Sequence, residues 1–168
     1  WSANLAWTIT LMEKILDRVP GPDNLQRVTE AIYRHGQDIS AAEFLTAQAA
    51  FNRANRAASA LFEGYDLLLT PTLAKPPIKL GTLDQNAEGV DPATWTRQVF
   101  EWCAFTPLFN STGQPAVSLP LHWTEGGLPI GMQFVARMNG EATLIRLAAQ
   151  LEQAQPWAER RPPLCYGG

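Results

Sequence analysis

Apolar residues at Leu5, Ile9, Met12, Leu16 and Val19 recur in steps of four and three, which sets them along one side of a helix. The run Pro20 to Pro22, "PGP", stops it, because proline lacks the N–H that a helix needs. A second helix is expected from Asp23. Gln26 stands three residues on, as in a capping box; Leu25, Val28 and Ile32 share a face; Gly36 ends it beside His35. A third helix carries the clearest signature. Ser40 and Glu43 form the box, and Phe44, Ala47, Phe51, Ala54, Ala58 and Leu61 make an apolar seam. Gly64 closes it, after about 35 Å at 1.5 Å per residue.

The period then changes. Leu67, Leu68 and Leu69 form a continuous apolar run, the mark of a strand buried on both faces, which Pro71 breaks. Leu73 to Asp91 has prolines, glycines and no periodicity, and a loop of that length commonly covers a site or packs on a partner. Asp91 and Pro92 are cap and first residue of another helix, whose buried side is expected at Val99, Trp102, Cys103 and Phe105 or Thr106. "AVSLPL" and "PIGMQFVA", separated by "HWTEGGLP", predict an antiparallel strand pair. Leu144, Leu147, Ala148 and Leu151 mark a last helix, ended by Pro156, before an irregular tail.

Composition adds limits. The 168 residues suffice for one good core or two small ones, and 46% hydrophobic with 17% charged residues describes an ordinary packed protein. A net charge of −3, with cations spread along the whole length, leaves no footprint for nucleic acid. No apolar run approaches the ~20 residues of a membrane span. Cys103 and Cys165 have no metal or redox spacing; they read as a buried thiol and a tail thiol, and a reducing cytoplasm is expected. The chain opens within a helical pattern and without Met, so a piece of a longer protein with its missing part upstream is expected.

Catalysis needs a nucleophile or base within reach of substrate. Of the serines, Ser40 is a cap, Ser59 lies on a helix surface and Ser118 alternates within a strand. Ser111 alone sits in a turn that exposes a hydroxyl. His35 suits a helix C-terminus, and His122 closes a strand beside Trp123. A Cys103–His122 dyad is conceivable but has no third, orienting group in view. Lys75 and Lys79 stand in the Pro-rich loop, where a solvated charge suffices. The acidic residues show no metal spacing, so neither metal nor cofactor is called for.

Four words in order, "YDLLLTPT", "NSTGQPAVSLPL", "GLPIGMQFVA" and "EATLIRLAAQLE", resemble the C-terminal part of the amidase signature family over Ala41 to Pro163. The wording "FTPLFNSTGQPAVSLPL" and "RLAAQLEQAQPW" is most similar to its bacterial branch of 6-aminohexanoate cyclic-dimer hydrolase-like enzymes. The resemblance implies an α/β fold with a mixed central sheet flanked by helices. It implies amide hydrolysis by a Ser–cis-Ser–Lys triad, with backbone N–H groups stabilising the oxyanion. In the family these groups belong to the N-terminal half. This chain has no adjacent serines and no matching lysine, so no catalytic residue is assigned to it.

The expected organisation is a single domain over residues 1–168, with N-terminal helices 1–39, an amidase-like core 40–163 and a tail 164–168. Thr70 and Pro71 end one strand, while Asn110, Ser111, Thr112 and Gly113 form the turn into the next; these six are the candidate substrate-binding residues. Each also has a plain reading as turn chemistry. The expected partners are the missing catalytic half, a small-molecule amide and, for the isolated chain, a second copy. The rival readings are an inactive binding or assembly module of the same fold, and a hydrolase built on Cys103 and His122.

Overall fold

The computed structural model describes residues 1–161. Cys165, the expected tail and the last two residues of the expected core lie outside them. The helices are α1 (Ser2–Leu16), α2 (Arg27–Gln37), α3 (Ala41–Ala60), α4 (Pro92–Trp102), α5 (Thr106–Thr112) and α6 (Glu141–Ala154). The strands are β1 (Leu67–Pro71), β2 (Ala116–Trp123) and β3 (Pro129–Ala136). The chain forms two compact units: Trp1–Asn52 with Ile78–Trp102, and Arg53–Pro77 with the residues from Cys103 on.

In the first unit α1 packs on α2, burying Ala6 against the side of α2 that carries Val28, Ile32 and Tyr33. Leu5 and Ile9 are half-buried as the α1 pattern predicts, whereas Met12, Leu16 and Val19 are exposed. α2 starts at Arg27, four residues later than the Asp23 expectation. Asn24 is occupied in the preceding turn, where its side chain accepts the Gly21 N–H at 3.0 Å. The first donors of α2 are satisfied from the long loop instead: Asn86 Oδ1 accepts the Arg27 N–H at 3.1 Å and the Gln85 carbonyl accepts the Val28 N–H at 3.1 Å. Nor does Gly36 end α2. It lies buried inside the last turn, facing the start of α1.

The capping box of α3 forms as the sequence predicts. The Ser40 N–H and hydroxyl donate to Glu43 Oε2 at 2.9 and 2.7 Å, and Ser40 Oγ accepts the Glu43 N–H at 3.2 Å. Those bonds, the hydroxyl's first, hold the Glu43 carboxyl below its usual range, with His35 adding a smaller pull. The cap is therefore at full strength above the ordinary glutamate pKa and is lost as pH falls through the depressed one. Ser40→Ala should return the Glu43 carboxyl towards the ordinary range in a carboxyl NMR titration; an unmoved curve contradicts the box. Of the α3 seam only Ala58 is buried, while Phe44, Phe51 and Leu61 are exposed.

The second unit holds the sheet. Its order is β1-β3-β2, and both pairings are antiparallel. The β2–β3 pair was expected; its loop is shorter than expected, since His122 and Trp123 belong to β2. β1 is an edge of the described sheet, not a strand buried on both faces: Leu69 is 52% exposed. Pro71 closes the strand opposite Met132 and does not break it, which an edge position tolerates because no ladder N–H is needed there. Leu119, Phe134 and Ala136 form the core with Leu144 of α6, and Leu147, Ala148 and Leu151 add their sides. A one-residue bulge at Leu121 interrupts β2, and the Gln155 amide donates to the freed Leu121 carbonyl at 2.9 Å.

α4 begins as predicted, with the Asp91 carboxylate accepting the Thr94 N–H at 2.8 Å and Pro92 first in the helix. It ends at Trp102, so Cys103, Phe105 and Thr106 lie past it and are half-buried. The expected turn at Asn110–Gly113 is instead the end of α5. Asn110, Ser111 and Thr112 are helical, and Gly113 is the left-handed residue after them, at φ 73°. Seven residues containing Pro107 and "NST" read as a turn because Asn, Ser and Thr favour one wherever packing does not decide. Among the described residues no helix is long and apolar enough to cross a membrane.

Candidate functional site

Alternation along β3 divides the sheet into two chemically different faces. Met132, Phe134 and Ala136 point to the side that α6 covers. Gly131, Gln133 and Val135 point to the other, in register with Leu68 and Thr70 of β1 and with Ala116, Ser118 and Pro120 of β2. This second face is polar at its middle and dry at one end, where Val135 is 0% exposed.

Two hydrogen-bonded pairs cross it. Gln133, only 5% exposed, donates through Nε2 to Thr70 Oγ1 at 3.0 Å, and the Thr70 hydroxyl donates to the Pro71 carbonyl at 3.0 Å. One residue past β1, Thr72 Oγ1 lies 2.6 Å from Ser118 Oγ. That contact reaches from one outer strand to the other over Gly131 of the middle one. A Cβ at Gly131 would fall 2.7 Å from Ser118 Oγ and 2.8 Å from Thr72 Oγ1, so only glycine leaves room for the pair. The Thr72 N–H donates to the Gly131 carbonyl at 2.8 Å, which fixes the backbone beneath.

Beside this pair opens a cavity of about 310 Å³, lined by residues 71–77 and 129–131. Its walls are mainly proline, leucine, alanine and isoleucine, with Thr72 and Lys75 as the polar side chains. Among the described contacts, the Thr72 and Ser118 hydroxyls are each other's side-chain partner.

The candidate residues fall into two groups. Thr70 and Pro71 belong to the sheet: the first spends its hydroxyl within the protein and the second lines the cavity. Asn110, Ser111, Thr112 and Gly113 belong to α5, where the Ser111 and Thr112 hydroxyls donate back to the Pro107 and Phe109 carbonyls at 3.4 Å. The Ser111 carbonyl accepts the Asn55 side-chain amide from α3 at 3.1 Å. Ser118, Gly131 and Gln133 escaped the sequence reading. Their alternation was visible, but their juxtaposition with Thr72 depends on register. His122 is exposed in β2, and Cys103 is half-buried just past α4.

The amidase family model matches residues 3–145. Over 105 residues the chain is 42% identical to 6-aminohexanoate-cyclic-dimer hydrolase of Paenarthrobacter ureafaciens, covering 60% of this chain and 21% of that protein. Among solved structures it is similar to 6-aminohexanoate cyclic dimer hydrolase, with a TM-score of 0.81 and 28% identity. It is similar also to a bacterial aryl acylamidase of the amidase signature enzymes, with a TM-score of 0.76 and 25% identity. Both alignments cover 96% of this chain and 34% of the other. The matched stretch spans about a fifth of the length of these curated relatives. The α/β architecture and the family words agree with a family model that takes in most of its residues: the chain belongs to the amidase signature family.

Proposed function

We propose that this chain is the C-terminal portion of a cytoplasmic amidase that hydrolyses carboxylic amide bonds, C–N bonds other than peptide bonds, through a Ser–cis-Ser–Lys triad carried upstream of it. Its own part is to complete the sheet and to wall part of the substrate pocket. Pro71 forms wall, and Thr70, by holding Gln133, braces the strand behind it. Asn110, Ser111, Thr112 and Gly113 brace the approach from α5. The observation that carries the reading is membership of an amide-cleaving family in a chain whose candidate-site hydroxyls, at Thr72, Ser118, Ser111 and Thr112, have one another or backbone carbonyls as partners. The exposed apolar residues of α3 support it too, since Phe44, Leu45 and Phe51 suit burial against the remainder of the parent. Left uncovered, that stripe favours a homodimer of the isolated chain.

The test is hydrolysis of an aryl amide by the 168-residue chain and by the product of its full reading frame. The chain alone should release no amine above a protein-free control. The full product should do so, and should stop when the first of its upstream paired serines becomes alanine. A reading frame without paired serines and a lysine favours the inactive module. Turnover by the chain alone that thiol alkylation abolishes favours the Cys103–His122 hydrolase.

A further inference from the structure

We propose that Asn139, in the turn that joins β3 to α6, is a site of spontaneous covalent modification that the fold holds shut. Conversion of its side-chain amide to aspartate or isoaspartate waits until the start of α6 lifts from the sheet. This goes beyond the reading above and does not rest on it. Asn139 is the asparagine of this sequence that a glycine follows. Glycine has no side chain to crowd its nitrogen, so Gly140 N can attack the Asn139 side chain from within the same chain. Gly140 N gives up its proton to solvent and bonds to Asn139 Cγ. The Cγ–Nδ2 bond breaks and Nδ2 leaves as ammonia, which closes a five-membered imide. Water then opens the ring. Addition at Cγ leaves aspartate, and addition at the main-chain carbonyl leaves isoaspartate, whose backbone runs on through Cβ and Cγ. Asn139 is exposed, so water reaches it.

The folded turn opposes ring closure in three ways. The Gly140 N–H donates to the Arg137 carbonyl at 2.9 Å, so the proton that must leave is held. Asn139 has a φ of 62°, in the left-handed region. Residues of that region have ψ of about 0° to +60°, which swings Cβ away from the next nitrogen, whereas the imide needs both on one side. Gly140, finally, has no room to shift. It is buried, and a Cβ on it would stand 2.7 Å from the Ala136 Cβ and from the Arg137 carbonyl oxygen. Its own carbonyl accepts the Thr143 and Leu144 N–H groups at 3.0 and 3.3 Å, which starts α6. The turn is therefore locked to a helix whose Leu144 is buried with Phe134. Isoaspartate puts an extra main-chain atom beside Gly140, where the packing leaves no space for it, so the modified turn does not close again as before.

The test follows the peptide of residues 138–146, which trypsin releases by cutting after Arg137 and Arg146, with chromatography and mass spectrometry. The 168-residue chain is held in mildly alkaline buffer, either folded or in guanidinium chloride. The folded chain should lose Asn139 at least roughly tenfold more slowly, because only its opened fraction reacts. Leu144→Ala, which loosens α6, should speed conversion in the folded chain several-fold and leave the rate in guanidinium unchanged. If that variant does not fold, the comparison on the unsubstituted chain carries the test. Chain aged in guanidinium and then refolded should unfold at lower urea than fresh chain. An Asn139→Gln chain, whose longer side chain closes a ring far more slowly, should keep its midpoint through the same ageing. Equal rates in the folded and unfolded chain, a folded Leu144→Ala chain that converts no faster than its parent, or isoaspartate at Asn139 with an unmoved midpoint would each overturn the proposal.

Discussion

Phe134→Ala is expected to cost the strand-bearing unit about 3–5 kcal/mol, as removal of a buried aromatic ring does. Phe134 sits in the middle strand, opposite Val117 on one side and Leu69 on the other. Its ring faces Leu119 and the α6 residue Leu144, and both are buried. Among the described residues α6 is the helix that covers this face of the sheet, so no other helix takes over the contacts Phe134 loses there. Domain stabilities run to about 5–15 kcal/mol in total, so this one change removes a large part of what is available. Urea unfolding followed by far-UV circular dichroism measures it. Leu69→Ala is the control: Leu69 shares the face but is 52% exposed, so its loss should cost about 1 kcal/mol. Equal losses from the two variants would show that the core does not lie between the middle strand and α6.

Gly36→Ala should destabilise the helical unit by about 1–3 kcal/mol, although helix propensity alone favours alanine over glycine by nearly 1 kcal/mol. The two effects have opposite signs, and packing decides. A Cβ at Gly36 would stand 2.7 Å from the Ser2 carbonyl carbon and 2.8 Å from the Ala6 Cβ. Backbone and a methyl group on α1 cannot rotate aside as the end of a long side chain would. The helices must part, and Ala6, Val28 and Ile32 lose contact together. Gly64→Ala is the matching control, with nothing within 4 Å of the added carbon and a φ of −115°. It should be neutral or slightly stabilising. A Gly36→Ala chain more resistant to urea than its parent would mean that α1 does not lie against that turn.

Both predictions turn on positions whose importance the sequence conceals. Gly36 reads as a helix stop, because glycine after an apolar periodic run usually is one. Its actual task, close approach to α1, involves a residue more than thirty positions away. Asp23 and Gln26 read as a capping box for α2 on equally sound local grounds. The caps came from Gln85 and Asn86, across a loop whose lack of period hid any partner. By contrast, the Ser40–Glu43 box, the Asp91–Pro92 start and the α6 stripe formed where they were read, because each is complete within about one turn of chain.

The same division holds for the candidate site. Local pattern was enough for the existence of every helix but α5, for the hairpin, the α/β class and the family words, since side-chain periodicity and capping act over a few residues. It could not say which face of β2 turns towards which neighbour. The bulge at Leu121 shifts the pairing by one residue, and in strands one residue exchanges the faces. With the bulge, Leu119 lies opposite Met132 in the core and Ser118 opposite Gln133 on the polar face, within reach of Thr72. Without it, Ser118 would stand against Phe134 and the hydroxyl pair would not exist. That choice belongs to long-range packing: burying Val117 and Leu119 against α6 is worth more than an uninterrupted ladder, and no short stretch of chain carries that balance.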